Sequence, residues 1–247
     1  MALTPYPNEQ YAYENPSILV SNNGSDWSVP PGLTNPIEPF ANNVYNSDPE
    51  IIVDPYNTMW LFWRLDDTKN DYIYARSSAD GINWTSKVQV LKANYTTALS
   101  PALYFDGSQY IMWTVSTDQT ITRRTASSLT GPWSTPTNII LKFSGASFIP
   151  WHLNVTARNG VLWMILSQND GINLWLATSA DNGLNWTTGS NPLLRATSNS
   201  WDSYLYRSTL VVTSTGFDLW YSAFAMWYTP TYGTTWHIGR TPVTVGP

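Results

Sequence analysis

Two series of tryptophans recur along this chain at intervals of about 50 residues. In the first series each tryptophan ends a short polar phrase, such as SSADGINW at 77–84 and SADNGLNW at 179–186. In the second series each lies inside an apolar run, such as TMWLFW. The first series is Trp27, Trp84, Trp133 and Trp186, and the second is Trp60, Trp113, Trp163 and Trp220. Two markers with one shared period indicate a repeated structural unit.

Each period contains several short runs typical of strands, including TMWLFWR, DYIYARS and KVQVL in the second repeat. The fourth strands of the third and fourth repeats are predicted at TNIIL and at the weaker NPLL. Turn signals such as DPYN, DGSQ and DNG separate these runs, and no segment keeps a helical period. Units of about four strands that repeat every 50 residues or so are typical of a β-propeller. The sequence therefore predicts an all-β fold, a five-bladed β-propeller that forms a single domain over residues 1–247.

The two ends of the chain do not complete their blades in this alignment. MALTPYP aligns with the second strands of the other repeats, so blade 1 lacks its innermost strand and blade 5 lacks its outermost strand. Two explanations stay open. Either the C-terminal VTVGP closes the ring, or, as we prefer, the chain is part of a longer protein.

The phrase S-x-D-x-G-x-x-W is the Asp-box of sialidases and other propellers, and it predicts Asp-box turns between third and fourth strands. Asp80 and Asp181 are expected to accept backbone N–H groups inside these turns. Trp84 and Trp186 are expected to pack between blades. A catalytic or calcium-binding role for the aspartates is the alternative.

Composition excludes several classes of function. Only 12% of the residues are charged, the net charge is −5 and there is no basic run, which argues against nucleic acid as a partner. Cysteine is absent, so disulfides and thiolate metal sites are excluded. No apolar run approaches the roughly 18 residues of a transmembrane helix, so we expect no membrane insertion. No signal peptide is recognised, and the Asn- and Thr-rich composition favours an extracellular or virion-associated protein.

Four polar residues begin the first strands of successive repeats. In a propeller the first strands line the central channel, so these residues are predicted to form one layer around a common cavity. They are Asp48, Ser100, His152 and Arg207. The loops on the same face add acids, an arginine and aromatic residues, a composition suited to binding sugars: Tyr6, Glu14, Arg64, Trp201, Asp202, Tyr204 and Trp227.

The phrases SDPEIIVD, SPALYFDG and MWLFWR resemble the five-bladed glycosidases of glycoside hydrolase families 43, 32 and 117. Other segments, among them PWHLNV, LYRSTLVV and LWYSA, are similar to propeller domains of phage tail and bacterial surface proteins. The resemblance covers nearly the whole chain. It implies that carboxylates projecting from first strands act as general base, general acid and orienting group.

Carried over to this sequence, the resemblance makes Asp48 the candidate base, with a simple turn role before Pro49 as the alternative. The family's glutamate from a later blade has no counterpart, so the candidate acids are His152 and Glu14. Asp202 would orient either group. Arg207 would bind substrate through its planar guanidinium, together with Ser100, Arg64, Tyr6, Trp201, Tyr204 and Trp227.

Two functions follow as hypotheses. The first is a glycan-acting enzyme similar to glycoside hydrolases, inverting, that cleaves a surface or plant polysaccharide in a central funnel. The alternative is a non-catalytic glycan- or receptor-binding domain of a phage tail or surface protein, and a structural scaffold is a third reading. The expected partners are carbohydrate and other virion or surface-protein subunits. No cofactor is predicted, although a central Ca²⁺ or another ion would fit such a channel.

Overall fold

The protein was analysed as a computed structural model that describes residues 1–6, 10, 13–41, 44–226 and 235–245. Its regular structure in these residues consists of β-strands. They are β1 (Ala2–Leu3), β2 (Ser17–Ile18), β3 (Tyr45–Val53), β4 (Met59–Asp66), β5 (Asn70–Ser78), β6 (Val88–Asn94), β7 (Leu99–Phe105), β8 (Tyr110–Val115), β9 (Ile121–Ala126), β10 (Thr137–Asn138), β11 (Ile140–Lys142), β12 (Pro150–Arg158), β13 (Val161–Gln168), β14 (Asn173–Ser179), β15 (Asn185–Thr188), β16 (Leu194–Arg195), β17 (Tyr204–Val212), β18 (Gly216–Phe224) and β19 (His237–Thr244). Within the described ranges, no helix has the length and apolar character to cross a membrane.

The strands form five sheets, which follow the predicted repeats. Their orders are β1-β2, β3-β4-β5-β6, β10-β9-β8-β7, β11-β15-β14-β13-β12 with β16 paired to β14, and β17-β18-β19. Four sheets therefore have three strands or more, and the first predicted blade is only a two-stranded ribbon. Val243 and Thr244 of the VTVGP segment continue β19, where Val243 pairs with Phe217, and residues 246–247 lie outside the described residues.

The chain divides into two compact units. Unit 1 comprises residues 1–112 and 124–135, and unit 2 comprises residues 113–123 and 136–247. The single domain predicted over residues 1–247 stays a prediction.

Unit 1 buries both faces of β4, which explains why MWLFWR reads as an apolar run and not as an alternating strand. Phe62 packs with Ile73 and Leu103 in one cluster. Leu61 and Trp63 point the other way and pack with Ile18 in a second cluster. Burial on both faces fixes β4 as a rigid central strand, and this strand carries Arg64 at its far end.

Unit 2 has its own core beneath β13, β17 and β18. Leu205, Phe217 and Leu219 are almost completely buried there and pack with Ile165. Trp163, a marker of the second tryptophan series, meets Phe217 edge-on with ring centroids 5.3 Å apart. The apolar residues of β17 and β18 therefore hold the polar start of β17 in place.

The predicted outer strand TNIIL of the third repeat is divided between two sheets, so that prediction was wrong in part. Thr137 and Asn138 pair with β9. The Ile139 N–H still bonds to Ile121 O, but the Ile140 N–H bonds to Leu184 O. From Ile140 the chain runs parallel to β15 as the outermost strand of the fourth sheet. The change of partner depends on backbone hydrogen bonds, which a pattern of side chains does not reveal.

The fourth strand of the fourth repeat also differs from its prediction. NPLL contributes only the end of its run to β16, which pairs with Asn173 and Leu174. The strand that pairs with the end of β14 is β15, which begins inside the SADNGLNW phrase. The turn is therefore tighter than expected, because the strand begins one residue before Trp186.

The two Asp-box turns are held by their aspartates. Asp80 Oδ1 accepts the N–H groups of Ile82 and Asn83 at 2.9 and 2.8 Å, and Asp181 Oδ1 accepts the N–H of Asn185 at 2.9 Å. Hydrogen bonds from Asn185 lower the pKa of Asp181 to about 2. Both carboxylates are therefore occupied by local turn contacts.

One carbonyl in the second Asp-box receives two tryptophans. Gly183 O accepts the indole N–H of Trp113 and that of Trp186, each at 3.0 Å. The two rings meet edge-on, with centroids 5.9 Å apart. Trp113 lies in β8 and Trp186 in β15, so one member of each tryptophan series meets at this glycine.

Gly183→Ala is expected to destabilise the protein by about 2–3 kcal/mol, because a Cβ there would overlap the Trp113 ring. Gly160→Ala is the matched control. Both glycines have a left-handed φ, 78° and 75°, but no heavy atom of the described residues lies within 4 Å of a Cβ at Gly160. The free energy of unfolding of Gly160→Ala should fall by only about 1 kcal/mol, the cost of placing alanine in a left-handed backbone conformation. Equal midpoints for the two variants in urea unfolding would contradict the proposed packing.

Candidate functional site

The inner strands of three sheets are irregular where the predicted site residues lie. Register shifts occur between Ser47 and Glu50 in β3, between Pro150 and His152 in β12, and between Leu205 and Ser208 in β17. A β-bulge turns side chains away from strict alternation, and such bulges are frequent beside active sites. Asp48, His152 and Arg207 each lie at one of these bulges.

Asp48 is buried, with 6% of its surface exposed, and has a left-handed φ of 53°. Its Oδ2 accepts the backbone N–H of Ser100 at 3.0 Å. Ser100 is fully buried and also has a left-handed φ, 49°. Both residues precede a proline. Two neighbouring residues in a conformation that side chains disfavour indicate a built site, in which the backbone of Ser100 orients the Asp48 carboxylate.

Arg64 lies at the end of β4 among buried acids of unit 1. Its Nε donates to Asp71 Oδ1 at 2.9 Å, its Nη2 to Asp66 Oδ2 at 2.8 Å, and its Nη1 to Ser47 Oγ at 3.4 Å. Burial by itself would lower the pKa of Arg64, but Asp48 and Asp71 outweigh burial and raise it. The guanidinium is therefore always charged and already bound, and a role in binding substrate stays a prediction for it.

Glu14 is an acid of unit 1 whose pKa lies well above its ordinary value. Burial raises the pKa of Glu14 from 4.5 to about 8, and repulsion from Asp48 adds to this increase, whereas Arg64 opposes it. Glu14 is therefore protonated at neutral pH. The charge of Asp48 therefore favours the protonated form of Glu14.

An amide chain supports the segment that carries Glu14. Asn15, the next residue, receives a hydrogen bond from Asn46 Nδ2 at 3.0 Å, and Asn46 Oδ1 accepts the Trp63 indole N–H at 3.1 Å. All three side chains are buried. This chain joins the Glu14 segment to β3 and β4, the strands that carry Asp48 and Arg64.

In unit 2, His152 is 3% exposed and its ring meets Tyr206 edge-on, with centroids 4.3 Å apart. Its backbone N–H bonds to Ser167 Oγ at 3.0 Å. Arg207 follows Tyr206 on β17, is partly exposed, and accepts the Ser222 hydroxyl at its backbone oxygen. The imidazole is therefore close to an aromatic residue that the sequence analysis did not select.

The other predicted residues of unit 2 are divided between two groups. Trp201 stacks on Tyr221 with centroids 5.9 Å apart. Asp202 is 8% exposed. Burial raises the pKa of Tyr221, and the charge of Asp202 raises it further. Tyr204 packs instead against Phe224, with centroids 5.0 Å apart.

Two further predicted residues need separate mention. Tyr6 belongs to unit 1 and is partly buried. Trp227 lies outside the described residues. Because Asp48 belongs to unit 1 whereas His152 and Arg207 belong to unit 2, the common cavity for the three stays a prediction.

A hollow of about 280 Å³ in unit 2 has none of the predicted residues among its lining residues. Its walls include Gln119, Ile139, Phe143, Phe148 and Pro150. Its apolar walls are largely explained by packing, since Phe148 stacks on Trp175 with centroids 4.8 Å apart. For ions, no group of three or more His, Asp or Glu side chains arranged for metal binding occurs in the described part of the chain.

Sequence reasoning missed two features of these sites. Asp71, completely buried beside Arg64, could have been noticed as the acid that begins the predicted strand DYIYARS. Tyr206 and Trp236, with ring centroids 5.2 Å apart, gave no comparable signal, because the bulge in β17 shifts the alternation of that strand.

Comparison with known proteins adds relatives at two levels. No protein-family model matches the chain. In sequence it is 28% identical over 277 residues to the A type blood N-acetyl-alpha-D-galactosamine deacetylase of Flavonifractor plautii. That match covers 85% of this chain but only 36% of the deacetylase, so the chain spans about a third of the relative's length.

In structure, the chain resembles glycosidases of family GH43. The endo-arabinanase of Bacillus licheniformis superposes with a TM-score of 0.64 and 14% identity, covering 92% of this chain and 86% of that one. The xylosidase/arabinofuranosidase CoXyl43 from a compost metagenome superposes with a TM-score of 0.58 and 12% identity, covering 80% of this chain and 69% of that one. A GH43 β1,3-galactosidase superposes with a TM-score of 0.61 and 13% identity, covering 92% of this chain and 50% of that one.

The chain has the fold of the GH43 propellers. The predicted all-β propeller is therefore confirmed, and so is the predicted relation to glycosidase propellers at the level of the fold. At these identities the likeness extends to the fold and not to the activity.

Proposed function

We propose that this protein hydrolyses a glycan, with Asp48 as general base and Glu14 as general acid. The observation that carries this proposal is the pKa of Glu14, which burial and the charge of the buried Asp48 in the same unit raise to about 8. A carboxyl group that keeps its proton at neutral pH can serve as a general acid. The fold of GH43 glycosidases and the glycan-directed relative both support a carbohydrate substrate.

The proposed reaction is inverting hydrolysis of a glycosidic bond. Glu14 donates its proton to the leaving oxygen as the bond to the anomeric carbon breaks. Asp48 takes a proton from a water whose oxygen attacks that carbon from the opposite face. The water thus supplies a hydroxyl to one product and a proton to Asp48, and a later proton transfer restores Glu14.

His152 is the alternative acid in this proposal. It is a buried imidazole at a bulge, and Arg207 and Asp202 belong to the same unit. Under this alternative Arg207 would bind the substrate hydroxyls and Asp202 would orient the imidazole. Glu14 is preferred because it belongs to the same unit as Asp48 and the charge of Asp48 raises its pKa. An extracellular or virion-associated location remains part of the proposal, and neither proton transfer requires a cofactor.

A second candidate is removal of an N-acetyl group from an amino sugar. It is favoured by the sequence relative, which is a deacetylase and aligns with 85% of this chain. The same pair could act on an amide: Asp48 would activate water for attack on the acetyl carbonyl, and Glu14 would protonate the leaving nitrogen.

One assay separates these candidates. The wild type is incubated with arabinan, xylan, β1,3-galactan and an oligosaccharide that ends in α-linked N-acetylgalactosamine, and reducing ends and acetate are measured in parallel. New reducing ends support glycoside hydrolysis, and acetate without new reducing ends supports deacetylation. Binding without either product supports the non-catalytic glycan- or receptor-binding alternative. The three relatives compared by structure are glycosidases and not phage or virion proteins.

Glu14→Gln is expected to lower turnover by about 10²–10⁴-fold, because the amide cannot donate the catalytic proton. In the wild type the rate should fall as pH rises through about 8, where Glu14 loses its proton. In the variant this alkaline limb should be absent. A rate profile from pH 5 to 10 checks both expectations, and an unchanged limb in the variant would remove Glu14 from the mechanism.

The same variant should alter the dependence of stability on pH. Between 4.5 and about 8 folded Glu14 keeps a proton that the unfolded chain releases, so the free energy of unfolding of the wild type should fall as pH rises through this range. Glu14→Gln should abolish this part of the decrease. Urea unfolding at pH 5 and pH 9 gives the comparison without any substrate.

A further inference from the structure

Unit 2 contains a cluster of partly exposed aromatic rings that the proposed chemistry does not use. We call it the aromatic patch, and it consists of Tyr204, Tyr206, Phe224 and Trp236. The ring centroids of Phe224 and Trp236 are 4.5 Å apart, and those of Tyr206 and Trp236 are 5.2 Å apart. The centroid of the Tyr204 ring lies 5.0 Å from that of Phe224 and 6.4 Å from that of Tyr206.

The patch differs from the aromatic core of the same unit. Trp186 and Phe217 are at most 1% exposed, as expected for rings that serve packing alone. The four rings of the patch form a continuous series of ring contacts, yet each keeps part of its surface accessible. A contiguous accessible group of large rings is uncommon on a soluble protein unless it binds something.

Polar groups border the rings, which favours a ligand with both apolar and hydroxyl-bearing surfaces. The Tyr204 hydroxyl donates to Asn169 O at 3.4 Å. Asp170, the residue after Asn169, is exposed. Burial raises the pKa of Tyr204, and the charge of Asp170 raises it further. A sugar ring meets both requirements, since its C–H face packs on an aromatic ring while its hydroxyls bond to carboxylate and carbonyl oxygens.

The patch is also held rigidly, so little entropy would be lost on binding. Tyr206 lies at the bulge of β17, against the buried His152. Tyr204 packs over Gly171, where a Cβ would overlap its ring and where φ is 71°. The backbone of the β13–β14 turn therefore supports one side of Tyr204.

We propose that the aromatic patch is a carbohydrate-binding site that stacks a sugar ring of the glycan. This inference rests on the proposed function for the kind of ligand, and it adds a site that binds a sugar residue independently of the proton transfers at Asp48 and Glu14. The patch determines affinity, whereas the carboxylates determine turnover.

The test measures binding in the Asp48→Asn background, where bound glycan is not consumed. Titration calorimetry uses arabinan, xylan, β1,3-galactan and the N-acetylgalactosamine oligosaccharide as probes. Trp236→Ala and Tyr206→Ala should each weaken binding about tenfold or more, because each removes a large apolar contact. Tyr206→Phe keeps the ring and should bind within about threefold of the background. Tyr56→Ala is the matched control, since Tyr56 is 87% exposed on the β3–β4 turn of unit 1.

The results separate this inference from the proposed function. Loss of affinity in both alanine variants, with a cooperative urea unfolding transition retained and Tyr56→Ala normal, supports the patch. Undiminished binding in folded Trp236→Ala and Tyr206→Ala overturns it, as does failure of every probe to bind. Turnover by the wild type, and its dependence on Asp48, is measured separately. That measurement tests the proposed function and does not depend on the result for the patch.

Discussion

Asp48→Asn should lower the rate of glycan hydrolysis by about 10²–10⁴-fold while the protein remains folded. The amide keeps an oxygen that can accept the Ser100 N–H, the contact that orients Asp48 at 3.0 Å. Asparagine also tolerates the left-handed backbone found here, with φ 53°. The substitution therefore removes the basic oxygen and little else, and initial rates on the substrate identified in the screen measure its effect.

Asp54→Asn is the control for this prediction. Asp54 directly follows the other end of β3, and its carboxylate accepts the N–H groups of Tyr56 and Thr58 within a turn. Its rate should equal that of the wild type. If Asp48→Asn also retained full turnover, Asp48 would have no place in the mechanism.

A second measurement tests whether Asp48 and Glu14 form a pair. Because repulsion from Asp48 raises the pKa of Glu14, Asp48→Asn should lower that pKa. Burial is the larger cause, so the pKa should remain above 4.5. Nuclear magnetic resonance of ¹³C-labelled glutamate can follow the titration, and an unchanged midpoint would contradict the pairing.

Arg64→Met is expected to reduce the free energy of unfolding by about 3–5 kcal/mol. The guanidinium bonds to Asp71, which is completely buried, and to Asp66, which is 7% exposed. Methionine fills similar space but leaves both carboxylates without their cation. The Ala98 N–H that also bonds to Asp71 cannot replace a full positive charge. Equilibrium unfolding in urea measures the loss.

Two companion variants make this prediction specific. Arg240→Met breaks an exposed ion pair with Asp218 and should cost no more than about 1 kcal/mol. The double variant Arg64→Met/Asp71→Asn should recover part of the lost stability, because it also removes a buried charge. If Arg64→Met cost no more than Arg240→Met, the buried network would not be a main support of unit 1.

Sequence alone identified the repeat because its markers have individual structural tasks. Trp113 and Trp186, one from each tryptophan series, both donate their indole N–H groups to the carbonyl of Gly183. A position with such a hydrogen bond keeps its tryptophan from one repeat to the next. Sequence could not place the change of partner at Ile140, where a strand leaves one sheet for another. Local patterns record which side chains are buried, whereas this change concerns which backbone supplies the hydrogen bonds.

The candidate site was predictable to a similar extent. Asp48 was predicted because it begins the first strand of its repeat and matches the resemblance to glycoside hydrolases there. The occupation of Arg64 by Asp71 was not predicted, since it requires knowing that β4 and β5 place these side chains together. Tyr206 was missed because a bulge breaks the two-residue alternation on which strand analysis depends.

The parallel pairing of β11 with β15 bears on how the protein would respond to a nick in its backbone. Residues 144–147 follow β11 and are exposed, so a protease could cut there. The fragment before the cut would keep Ile140 to Lys142 bonded to Asn185 to Thr187 of the fragment after it. The two pieces should therefore migrate together in native gel filtration and separate only in denaturant.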